Sequence, residues 1–96
     1  MKGTDGIDLL KKNMPYIRKR YPVRKMGVFG SYLRGEQTRE SDLDILVELK
    51  EPISLLEFMA LERNLTELTG HRVDLVMKSA LKPRIGKRIL REVVYL

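Results

Sequence analysis

The chain has 96 residues, no cysteine, and a formal net charge of +6, with 43% hydrophobic and 33% charged residues. That length suits one domain over residues 1–96 with a modest core and no large substrate-binding lobe. The composition fits a folded chain, excludes disulfides and thiolate metal sites, and contains no apolar run near the roughly 20 residues of a membrane span. The N-terminus lacks the apolar core of a signal peptide, so a cytoplasmic location is expected. The basic balance suits nucleotide phosphates, nucleic acid or an acidic partner. A solvated lysine–arginine surface explains the same charge.

Residues 5–20 read as a helix. Ile7, Leu10, Met14 and Ile17 fall on one stripe. Thr4 or Asp5 can cap the start, and Arg18, Lys19 and Arg20 complement the C-terminal dipole. Pro15 inside the pattern predicts a kink or a second turn, and Pro22 ends the helix.

The stretch Met26–Leu49, MGVFGSYLRGEQTRESDLDILVEL, carries the chemistry. Val28 and Phe29 favour a strand. Gly30 can take positive φ and admit a ligand close to the backbone. Ser31 adds a hydroxyl and an N–H. A helical turn starting there would favour an anion, with Arg34 near enough to add charge. In residues 42–49 apolar and polar positions alternate. Asp42 and Asp44 therefore share one strand face, and Leu43, Ile45, Val47 and Leu49 share the other. Two adjacent carboxylates repel unless one is protonated or a cation lies between them. Hard oxygen ligands beside a phosphate turn suit Mg²⁺.

Glu51 and Pro52 break that strand. Ser54 to Glu57 fits a capping box. Leu55, Phe58, Leu61, Leu65 and Leu68 then mark the buried stripe of a helix running to about Thr69, with Gly70 as its terminator. Residues 71–77 read as a third strand. Its Val73, Leu75 and Met77 share one face, and Asp74 lies on the other. An aspartate among apolar neighbours is costly to bury unless paired. A salt bridge to Arg72 or another base would satisfy it, and so would a place beside Asp42 and Asp44. His71, the one histidine, reads as a surface residue. Residues 79–94 read as a last helix. Pro83 lies in its first turn, and Ile85, Ile89, Leu90 and Val93 are available to pack on the sheet. Lys78, Lys82, Arg84, Lys87, Arg88 and Arg91 form the densest basic cluster, which a solvated helix face explains as well as phosphates, RNA or an acidic partner do.

Gly30-Ser31, ten intervening residues, then Asp42-Leu43-Asp44 resembles the signature of the polymerase-beta-type nucleotidyltransferase superfamily. The strings GSYLRG, ESDLDILVE and HRVDLVMKSALKPRI are similar to its small stand-alone members, the minimal nucleotidyltransferases. The resemblance implies an α/β (α+β) nucleotidyltransferase fold in the order α-β-(short α)-β-α-β-α. Its small mixed sheet would carry helices mainly on one face and an open, acid-bearing face for the nucleotide. It also implies that Asp42, Asp44 and Asp74 hold two Mg²⁺ ions and carry catalysis, and that Gly30, Ser31 and, more loosely, Arg34 hold the phosphates of ATP. The implied reaction is transfer of AMP to a protein acceptor, a helical partner of the HEPN class, with this chain as the antitoxin of a type VII toxin–antitoxin pair. Two alternatives compete: a non-catalytic antitoxin that masks a partner protein, and a small basic RNA-binding domain. Few aromatics accompany the charge, which counts against RNA binding. Strand order and oligomeric state, homo or hetero, are open at this level.

Overall fold

The computed structural model describes residues 6–30 and 43–96. Three helices, α1 (Gly6–Arg20), α2 (Leu55–Thr69) and α3 (Pro83–Glu92), accompany four strands. These are β1 (Val23–Phe29), β2 (Leu43–Leu49), β3 (Val73–Met77) and β4 (Val94–Tyr95), and a single 3₁₀ turn, Lys78–Ala80, follows β3. The sheet order is β3-β2-β1-β4. The β1–β2 and β1–β4 pairs are antiparallel, and β2–β3, joined through α2, is parallel. The mixed sheet is thus as expected, with β4 an addition. The short helix expected after Ser31 lies outside the described residues, as do the Thr4 and Asp5 caps.

The core forms where strand alternation meets helix periodicity. Met26 and Val28 of β1, Leu43, Ile45 and Val47 of β2, and Val73 and Leu75 of β3 pack with Leu10, Met14, Ile17, Leu61 and Leu65 of α1 and α2. A bulge between Val23 and Lys25 adds one residue, so Val23 and Met26 both reach this core. Each fully buried leucine there contributes about 1.5–3 kcal/mol. Helix α1 runs unbroken through Pro15, which lies on the exposed side.

Helix α2 is delimited as its sequence predicts. The Glu57 N–H donates to Ser54 Oγ at 3.1 Å, and Gly70 is left-handed at φ 73°. The buried stripe, however, begins at Phe58. Leu55 is 73% exposed and Leu56 79% exposed, because the first turn of the helix stands clear of the core. Two α2 side chains also close the outer edge of β3: the Val73 N–H donates to Thr66 Oγ1 at 3.2 Å, and the Leu75 N–H donates to Glu62 Oε2 at 3.0 Å. An edge strand whose donors are taken is fixed in register and protected from stray pairing.

Helix α3 starts with Pro83 in its first turn, as expected, but does not lie along the sheet. Ile85 is 58% and Leu90 42% exposed. Gly86 packs against Leu81, and the C-terminal end of the helix reaches the end of β1 through Glu92. There Gly27 makes room: a Cβ on it would come within 2.6 Å of Val93 Cγ2 and 2.9 Å of the Val94 carbonyl. Beyond β4, the Leu96 N–H donates to the Met26 carbonyl at 2.9 Å.

Candidate active site

Alternation along each strand puts Phe29, Asp44, Leu46, Asp74 and Val76 on the face opposite the core of α1 and α2. This face is not uniformly open, as the sequence led one to expect. Phe29 and Leu46 are buried, since apolar side chains at the middle of a sheet gain by leaving water. The acids lie at one end of it, where β1 finishes and β2 and β3 begin.

Asp44 is paired in register with Phe29 on one side and with Asp74 on the other. Backbones of adjacent strands lie about 4.8 Å apart, and parallel partners project to the same face. The register is set by the Leu43 N–H donating to the Arg72 carbonyl at 2.8 Å and by the Glu62 and Thr66 contacts to β3. Asp44 is half-buried and Asp74 exposed. Asp74 enters no ion pair among the described residues, so the salt bridge to Arg72 considered from sequence is not formed.

Gly30 ends β1 at φ 84°, the left-handed conformation that favours glycine. A side chain there would collide with Asp44: a Cβ would overlap Oδ2 and stand 3.0 Å from Cγ. The missing side chain is what lets the Asp44 carboxylate lie against the turn. The Gly30 N–H donates to Glu92 Oε1 at 3.0 Å. Sequence reading did not single out Glu92, because a contact across 62 residues leaves no local trace. Its position just before a β-branched pair, Val93-Val94, was the one available hint.

Of the residues expected to form the site, the structure therefore brings together Gly30, Asp44 and Asp74. Ser31, Arg34 and Asp42 lie outside the described residues. Among the described residues no group of three or more acids, histidines or cysteines gathers to hold a metal. Two aspartates on neighbouring strands nevertheless supply the hard oxygen donors that Mg²⁺ prefers. A cleft of about 550 Å³ lies at the opposite end of the sheet, lined by Val47–Ile53 and Met77–Ser79, and shares no residue with the acid end.

Residues 10–96 match the nucleotidyltransferase domain model. The protein adenylyltransferase MntA of Thermococcus cleftensis is 55% identical over 91% of this chain and 88% of its own. A solved structure of a minimal-nucleotidyltransferase candidate superposes with TM-score 0.78 at 35% identity, covering 96% of each chain. A crystal structure of a toxin–antitoxin with AMP-PNP superposes with TM-score 0.68 at 26% identity, covering 93% of this chain and 67% of that one. A glycine turn lying against an aspartate, with a second aspartate in register beside it, is thus found in a chain whose sequence and fold both match one group of enzymes, and the protein belongs to the nucleotidyltransferase domain family.

Proposed function

We propose that the chain is a Mg²⁺-dependent, cytoplasmic protein adenylyltransferase. It uses ATP to modify a HEPN-type toxin and so serves as the antitoxin of a type VII pair. The single observation that carries this reading is the register pairing of Asp44 with Asp74 next to a left-handed Gly30. The relative in Thermococcus cleftensis that is named a protein adenylyltransferase supports the acceptor class. The toxin–antitoxin structure with AMP-PNP supports an adenine nucleotide and a toxin partner.

In this reading Asp42, Asp44 and Asp74 would hold the divalent ions. Bound there, Mg²⁺ would neutralise the triphosphate and favour the ionised acceptor oxygen. Gly30 and Ser31 shape the turn that receives the β- and γ-phosphates, with Arg34 adding charge. The acceptor hydroxyl oxygen bonds to the α-phosphorus, the bond to the β-phosphate oxygen breaks, and pyrophosphate leaves. Asp74 would take the acceptor proton, a role its exposure to solvent supports. Alignment and charge neutralisation carry most of such a reaction.

The test is incubation with α-labelled ATP, Mg²⁺ and the product of the neighbouring gene. Label on the partner that is lost in Asp44→Asn supports the proposal. Tight partner binding without label, unaffected by the substitution, would instead make the chain a masking antitoxin. Salt-sensitive RNA binding alone would make it a basic RNA-binding domain.

A further inference from the structure

We propose that Glu92 is a positioning residue for the nucleotide-holding turn, clamping the Gly30 amide so that the end of β1 is fixed against Asp44. This rests on the function proposed above. Gly30 is held from two sides. Its N–H donates to Glu92 Oε1 at 3.0 Å, and the Asp44 carboxylate fills the space that a Cβ on it would need. A left-handed residue at the end of a strand has little else to define it, and a hydrogen bond from its amide to a side-chain oxygen satisfies the donor and fixes the direction of the peptide.

The segment that brings Glu92 there is itself fastened along β1. Val93 lies against Gly27, Val94 and Tyr95 pair with Val28 and Gly27, and Leu96 hydrogen-bonds Met26. Lys25 Nζ lies 5.3 Å from the Tyr95 ring centre, a contact of the cation–π kind. Four successive residues after Glu92 thus track β1 back from the turn, and the carboxylate is the last point of attachment before the site.

Charge decides between two roles. A carboxylate next to a triphosphate site repels the ligand, so Glu92 cannot assist by attraction. It assists by holding the backbone. A neutral side chain of the same length should serve nearly as well, whereas a metal ligand would not tolerate the change.

The experiment compares Glu92→Ala and Glu92→Gln with the wild type in transfer kinetics and in amide hydrogen exchange at Gly30. Glu92→Ala should raise KM for ATP about ten-fold with kcat little changed, and speed Gly30 exchange by a similar factor. Glu92→Gln should keep both within about two-fold of wild type, which also covers the case in which the alanine variant folds poorly. Unchanged KM and Gly30 exchange in Glu92→Ala would overturn the inference, and so would a glutamine variant as impaired as alanine. In both cases an active wild type leaves the proposed function standing. A wild-type protein that neither binds nor transfers nucleotide overturns the proposed function, and this inference with it.

Discussion

The two ends of the sheet carry acids under opposite conditions. At the far end Glu48 accepts two cations, Arg24 at 3.7 Å and Lys78 at 3.5 Å. All three side chains are at least 30% exposed, so these pairs are ordinary surface ion pairs worth little. At the near end Asp74 projects beside Asp44 with no base paired to it among the described residues, although the chain as a whole carries +6. The difference separates a carboxylate paired with two cations from one, Asp74, that no described base neutralises and that lies beside a second carboxylate.

Substitutions can break or sharpen this contrast. The largest effect is expected from Asp44→Asn: transfer should fall at least about a thousand-fold, roughly 4 kcal/mol of barrier, while far-UV circular dichroism stays that of the wild type. Retained transfer would erase the distinction between the two ends. Leu65→Ala, in the scaffold both ends share, should cost about 2–5 kcal/mol in denaturant-measured stability, whatever the activity of the folded fraction. Gly30→Ala places a methyl group on the Asp44 carboxylate in a strained backbone and should lose about 1–3 kcal/mol, read as a fall in both melting temperature and transfer. Glu62→Ala leaves the Leu75 N–H without its acceptor and should cost about 1–3 kcal/mol, visible as faster exchange of that amide. Glu48→Gln at the far end should change stability by less than about 1 kcal/mol and leave transfer untouched.

Much of this arrangement could be read from local pattern. The alternation of Leu43, Ile45 and Val47 around Asp44, the Ser54 cap and the Gly70 terminator are short-range signals, and all three hold. The resemblance to minimal nucleotidyltransferases also holds, and with it the mixed sheet. Asp74 falls beside Asp44 because both lie one residue into parallel strands, which the i, i+2 rule could suggest but not prove. What failed to show was set by contacts distant in sequence. Strand β4 is two residues long and exists only through its pairing with Val28 and Gly27. Ile85 and Leu90 had the spacing of a buried stripe, yet both are exposed. Glu62 and Thr66 lie off the apolar stripe of α2, and nothing local marks them as the residues that seal a strand edge. Glu92 likewise carries no local mark of its bond to Gly30.

That sealed edge bears on how faithfully the chain folds. Side chains alternate along β3, so sliding it by one residue against β2 would turn Asp74 into the apolar layer beneath α2 and lift Val73 and Leu75 into water. Stranding a carboxylate in that layer costs several kcal/mol, on the scale of the whole stability of a small domain. Misregistered molecules are therefore rejected by the same aspartate that the correct register sets beside Asp44.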